Sequence, residues 1–226
     1  MSKETLFKSS IGRKFAMALS AFFLLIFLLM HFLANFVSVF SADAYNEISY
    51  FMGYNPLIQY LMQPILTFAI IYHFVMGIVL EIQNKKARPV NYAYNKPSAN
   101  STWMSRNMVI SGLVILAFIV LHSFDFWFPE LNYKYFAPID PADPTRFHTE
   151  LQHNFSNPWR VIFYVVAFFL LMLHLLHGFQ SAFQSVGANH KKYTPFIKSF
   201  GKIFAIVIPL GFMFIAIFHY INSLSL

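Results

Sequence analysis

The chain contains no cysteine. That excludes disulfides, thiolate metal sites, iron–sulfur ligation by this chain and covalent attachment of a c-type haem, whose motif needs two cysteines ahead of a histidine. Charge is scarce as well: 11% of the residues are Asp, Glu, Lys or Arg, against 58% hydrophobic and 19% aromatic, with 29 phenylalanines among 226 residues. Soluble domains carry about a quarter charged residues, so a polytopic membrane protein is expected. There is no internal repeat, no glycine-rich phosphate loop and no low-complexity tract. The net charge of +7 shows no interleaving of basic and aromatic residues, so it reads as a topology signal and an attraction to anionic lipid or an acidic partner, not as nucleic-acid binding.

Five stretches reach the roughly 20 apolar residues that cross a bilayer: Phe15 to Phe40, Leu57 to Leu80, Met108 to Phe128, Val161 to Val186 and Ile203 to Ile221. The expected fold is all-α, one integral membrane domain over residues 1–226 with five transmembrane helices in a bundle. The first stretch is too long for a cleavable signal and no small-residue cleavage site follows it. Lys and Arg resist translocation, and all 16 except Lys134, Arg146 and Arg160 fall in the N-terminal tail, the second connection or the fourth. The N-terminus is therefore expected in the cytoplasm and the C-terminus outside. The proline- and charge-rich connection from Pro129 to Pro158 is expected to be an external loop with a short surface helix near Arg146 to His153.

Histidines interrupt the apolar stretches. At 1.5 Å per helical residue, His31 lies roughly 25 Å from the cytoplasmic edge and His122 roughly 21 Å, both in the outer half. The second and fourth spans run inward, where His73 lies roughly 24 Å in, and His174 and His177 roughly 20 and 24 Å. His31 thus matches His122 at an outer level, and His73 matches His177 or His174 at an inner one. A lone intramembrane histidine is as readily a hydrogen-bonding helix contact, but several that pair by depth from facing helices suit bis-histidine ligation of b-type haem. Two pairs imply two haems stacked across the bilayer. A metal transporter would need carboxylates or thiolates alongside, and the only acidic residue in the five stretches is Asp125.

The segments "SSIGRKFAMALSAFFLLIFLLMHFLANF", "DAYNEISYFMGYNPL", "FSNPWRVIFYVVAFFLLMLHLLHGFQSAFQSVG" and "NHKKYTP" resemble the single-chain, five-helix, two-haem cytochrome b anchor of succinate dehydrogenases and fumarate reductases. The resemblance implies that His31 and His122 ligate the distal haem, and His73 and His177 the proximal one. His177 is preferred because members carry a His-Gly step at this ligand, here His177-Gly178, where glycine lets the macrocycle approach. His174 is then an alternative ligand or a neighbour of the haem. The resemblance further implies a flavoprotein with covalent FAD and an iron–sulfur protein on the cytoplasmic side, a membrane quinone, menaquinone in preference to ubiquinone, and a bacterial cytoplasmic membrane. It leaves room for a dimer of the whole complex. Glu47 is the carried-over proton donor or acceptor for the quinone, against its plain reading as a solvated carboxylate.

Some relatives place a glutamate two residues before the fourth-span ligand; here Leu175 stands there, so that proton pathway is expected to be missing. Asp125, one turn beyond His122, is expected to hydrogen-bond near the outer haem, to relay a proton, or to snorkel to the interface. His148, His153 and His190 are expected in solvated loops and His219 at the interface. Two rival readings are a cytochrome b of a hydrogenase or formate dehydrogenase, and a haem-free structural anchor.

Overall fold

In a computed structural model, residues 9–86, 106–136 and 143–225 are described, and they form a helical membrane bundle. The first helix, α1 (Ser10–Phe36), starts where Ser9 accepts a hydrogen bond from the Gly12 amide at 3.0 Å, and it tightens into a 3₁₀ turn, Val37–Val39. Ser41 caps α2 (Ala42–Tyr54), with Asp43 in the first turn where the helix dipole favours an anion. Asn55 ends α2, and its side chain then accepts the amides of Leu57 and Ile58, which open a π turn (Ile58–Met62) leading into α3 (Gln63–Lys86).

The third span begins as α4 (Met108–His122) and continues to Phe136 through a π turn at Ser123–Trp127. It therefore does not end at Phe128, as sequence suggested. Pro129 has no amide to give the carbonyl of Asp125 four residues earlier, and Asn154 Nδ2 bonds that carbonyl instead, at 3.1 Å. The helix can run through a proline because another segment supplies the missing donor. Residues 137–142, within the expected external loop, lie outside the described residues. Beyond them come α5 (Arg146–Phe155), α6 (Pro158–Ser185), capped by Asn157, and α7 (Thr194–Ser223).

Among the described residues, five helices are long and apolar enough to cross a membrane: Ile11–Val39, Ile58–Lys86, Met108–Phe136, Pro158–Ser185 and Thr194–Ser223. Large side chains such as Ile26, Phe68, Ile110 and Phe214 stay exposed on their outer faces, a surface that water would penalise and lipid does not. Helices α6 and α7 make the most extensive contact, α1 packs on α3, α6 and α7, and α4 packs on α6. The "DAYNEISYFMGYNPL" connection is mostly helical rather than a loop. Together α2 and α5 close one end of the bundle, with Leu151 and Phe155 of α5 buried.

Two glycines set how closely α7 approaches its neighbours. A Cβ at Gly211 would collide with the ring of Phe32 on α1, and one at Gly201 with the ring of Phe179 on α6. Phe32 in turn packs edge-on to Phe212, which stacks on Phe168 at 5.2 Å. Gly211→Ala is expected to cost about 1–3 kcal/mol through overpacking, read as a lower thermal midpoint in detergent, whereas Ala at Gly187, where nothing crowds a Cβ, costs only the strain of its positive φ.

Candidate functional site

Two histidine pairs form inside the bundle. Nearer the α2/α5 end, the rings of His31 on α1 and His122 on α4 are 5.8 Å apart between centroids at 82°. Toward the other end, the rings of His73 on α3 and His174 on α6 are 6.5 Å apart at 61°. His177 is half-buried one turn further along α6, and the ring that meets His73 is that of His174. Among the described residues no three His, Asp or Glu side chains gather as a metal-binding group; the imidazoles come in twos.

Each of the four paired rings has the same nitrogen occupied. Nδ1 of His31 lies 3.4 Å from Asn35 Nδ2, that of His73 lies 3.2 Å from Ser20 Oγ, that of His122 lies 3.2 Å from Tyr164 Oη, and that of His174 lies 3.1 Å from Ser111 Oγ. No hydrogen bond from a described residue reaches their Nε2 atoms. The hydrogen bond at one ring nitrogen decides which tautomer the other presents to a metal. Ser20, Ser111 and Tyr164 offer an oxygen to the Nδ1 proton of His73, His174 and His122. That leaves Nε2 of those rings the bare lone pair that a bis-histidine haem iron takes, so these three fit such a group. Asn35 Nδ2 instead donates to His31 Nδ1, so the neutral His31 ring carries its proton on Nε2 and must give up that contact to ligate.

The surroundings of the two levels differ. His31 stacks on Phe27 at 5.3 Å and His122 on Phe118 at 5.7 Å, each one turn earlier on its own helix, and Phe212 lies 5.7 Å from His31. Around His174 there is more room: a Cβ added at Gly112 or at Gly178 would make only ordinary contact with its ring, at 3.9 Å. Leu175 is buried, so no carboxylate stands beside the second level on that turn.

Asp125 is neither solvated nor snorkelling. Its side chain is 2% exposed and 3.2 Å from Arg160 Nη2, and Oδ2 accepts the hydroxyl of Tyr164 at 2.7 Å. Tyr164 has spent its one proton on the carboxylate, so at His122 Nδ1 its oxygen accepts, and His122 carries its proton on Nδ1. The π turn that begins after His122 aims Asp125 into this chain of bonds.

Glu47 is exposed on α2. Its neighbour Asn46 is buried and accepts the amide of His148 at 2.8 Å. Tyr45, also buried there, has its hydroxyl pushed up to about 12 by desolvation. Glu130 pairs with Lys134 at 2.7 Å and with Arg146, which also binds Glu150 at 2.7 Å. Burial disfavours the Arg146 charge, but its bonds to Glu130 and Glu150 outweigh that and hold the guanidinium above its ordinary value.

Two histidines set aside on sequence prove to be built in. His219 is completely buried, with Nε2 2.8 Å from Ser38 Oγ, and His148 sits in α5 with Nε2 3.2 Å from the Ser38 carbonyl. No sequence spacing links Ser38, His148 and His219; only the closure of α5 over the bundle brings them together. His153 and His190 are exposed, as expected, although His153 is helical.

Tyr164→Phe removes one donor to Asp125 and the acceptor at His122 Nδ1, and is expected to cost about 1–3 kcal/mol. Arg160→Ala, which leaves a buried carboxylate without its cation, is expected to cost more. Thermal unfolding of the two variants in one detergent checks the order.

Residues 81–195, from the end of α3 to the start of α7, match the family model described as succinate dehydrogenase/fumarate reductase transmembrane subunit. The match takes in His122, Asp125, Tyr164, His174 and His177, while His31 and His73 precede it. Searches of curated proteins and of solved structures each found no match.

Proposed function

The chain belongs to the succinate dehydrogenase/fumarate reductase transmembrane subunit family, and from that premise we propose that it is a dihaem cytochrome b that anchors the complex and passes electrons between its iron–sulfur subunit and a membrane quinone, menaquinone by preference. The observation that carries this reading is the two histidine pairs, His31 with His122 and His73 with His174, in which Nδ1 of His73, His122 and His174 meets an oxygen that accepts its proton.

His31 and His122 would hold the outer haem. His73 would hold the inner one with His177 or His174: the His-Gly step favours His177, and the 6.5 Å ring contact favours His174. Bound haem supplies one-electron carriage at a potential set by its ligands and their hydrogen bonds. The protein's own part is to fix ring orientation through Ser20, Asn35, Ser111 and Tyr164, to keep the path dry with phenylalanines, and to compensate Asp125 with Arg160.

The basic connections face the cytoplasm in this reading, where the flavoprotein and iron–sulfur subunits dock, and α2 and α5 lie outside. The carboxylate of Glu47, exposed on α2, exchanges protons with water at that face. Glu47→Gln tests this part: quinone-coupled turnover at the wild-type level, with both haems retained, would remove Glu47 from the mechanism.

The test of the whole reading is haem stoichiometry by pyridine haemochrome and redox titration of the purified complex, repeated after His174→Ala and His177→Ala. Two b haems per chain are expected, with one lost in a single member of that pair of variants, which identifies the ligand. A wild-type complex that contains its other subunits but no haem would leave a passive anchor.

A further inference from the structure

Of the four paired rings, one differs in what stands behind its Nδ1 partner. Ser20 and Ser111 close on carbonyls of their own helices, those of Met17 at 2.7 Å and Met108 at 3.0 Å, and Asn35 lies on the same helix as the ring it meets. Tyr164 instead connects His122 to a charge. Its hydroxyl lies 3.2 Å from His122 Nδ1 and donates to Asp125 Oδ2 at 2.7 Å. Arg160 meets the other carboxylate oxygen, Oδ1, at 3.2 Å, so Oδ2 is left to the phenol. Arg160 also donates to Asn154 Oδ1 at 3.1 Å, while Asn154 Nδ2 holds the Asp125 carbonyl. From Asn154 to His122, each group is fixed by its neighbour.

The tyrosine is shut away from water. It is 1% exposed, and the rings of Phe118, Phe155 and Phe168 meet it edge-on, at 4.9, 5.2 and 5.9 Å between centroids. A phenol caged in this way keeps one orientation, and no solvent competes for its two hydrogen bonds. In such low-dielectric surroundings hydrogen bonds polarise one another along a chain. The carboxylate draws the phenol proton toward Oδ2, the phenol oxygen becomes a better acceptor, and the Nδ1 proton of His122 is drawn toward it in turn. The ring thereby gains imidazolate character, which strengthens Nε2 as a donor to a metal. A metal held there favours its oxidised state, because reduction adds negative charge beside a carboxylate. The His73–His174 level has no such chain: its Nδ1 partners are serines, and the buried Leu175 follows His174.

We propose that Tyr164 is a positioning residue for the outer haem: it relays the Asp125 charge to His122 Nδ1 and holds the potential of that haem below the value that bis-histidine ligation alone would give. The inference rests on the dihaem reading and names the residues that poise one of its two haems. The step they govern is a one-electron exchange, in which the iron passes between its ferric and ferrous states. The electron comes from, or goes to, the quinone or the other haem. No bond between Asp125 and His122 breaks in that step, and each proton stays on its donor.

The experiment is a potentiometric titration of the purified complex, followed through haem absorbance, with haem content measured alongside. The redox component missing from His31→Ala marks the outer haem. Tyr164→Phe keeps the packed ring and the Asp125–Arg160 pair and deletes the relay. In this variant the ratio of reduced to oxidised outer haem at a fixed potential is expected to rise about tenfold, which for one electron is a midpoint raised by about 59 mV. The other component is expected to stay in place, with two haems per chain. Asp125→Asn keeps an acceptor for the phenol and removes the charge. It is expected to raise the same component, to add less on top of Tyr164→Phe than it does alone, and to decide the matter if Tyr164→Phe does not retain the outer haem. An unmoved outer midpoint in the deciding variant, equal shifts of both components, or full additivity of the two substitutions overturns the relay and leaves the dihaem reading standing. A wild-type complex without haem overturns both.

Discussion

Inside a bilayer an imidazole cannot turn to water, and the arrangement of this bundle follows from that constraint. Each paired ring needs a polar neighbour at Nδ1, and each neighbour is placed by helical geometry rather than by a loop. Asn35 is one turn after His31 on the same helix, while Ser20, Ser111 and Tyr164 come from the helix packed opposite. Ser20 and Ser111 also back-bond to carbonyls three residues earlier, at 2.7 and 3.0 Å. Their single protons are thereby committed, and both oxygens act as acceptors toward the ring. At three of the four rings the partner thus takes the Nδ1 proton. That leaves Nε2 of those three neutral rings without a proton, whereas His31, whose Nδ1 accepts from the Asn35 amide, keeps its proton on Nε2.

The same accounting explains the irregular third span. A carboxylate one turn from His122 would be intolerable in lipid by itself, and it is matched by Arg160 and Tyr164 from α6. The π turn rotates Asp125 toward those partners, and Pro129 frees the Asp125 carbonyl for Asn154. Asn154 Oδ1 in turn accepts from Arg160 at 3.1 Å. Helix irregularity, proline and ion pair form one connected solution, so α5, which supplies Asn154, helps order the site.

Much of this was legible in the sequence because membrane helices obey a fixed rise. Counting residues from the span edges placed His31 with His122 and His73 with the His174/His177 turn, and the same rise sets the two levels seen in the bundle. What the count could not reveal is rotation about the helix axis, which decides between His174 and His177. Proline and charge in Pro129 to Pro158 read as the end of a helix, because sequence does not show that Asn154 and Glu130 neutralise both signals. His148 and His219 were likewise invisible: 71 residues separate them in sequence, and each looked like an ordinary polar residue near a span end until α5 folded over α7.

The two levels are built to different stiffness. At the His31–His122 level the rings are clamped by phenylalanine stacks and linked through Tyr164 and Asp125 to an arginine, so ring orientation there is coupled to a buried charge. The His73–His174 level has serine partners, glycines on two sides and no charge nearby on α6. Hydrogen bonds and local charge tune a ligand's basicity. The Asp125 carboxylate, acting through Tyr164 on the His122 Nδ1 proton, makes that ring the stronger electron donor to whatever binds its Nε2. In the proposed dihaem reading, asymmetry of this kind would let two chemically identical groups in one short bundle hold electrons at different potentials, the difference being set by the aspartate beside one of them.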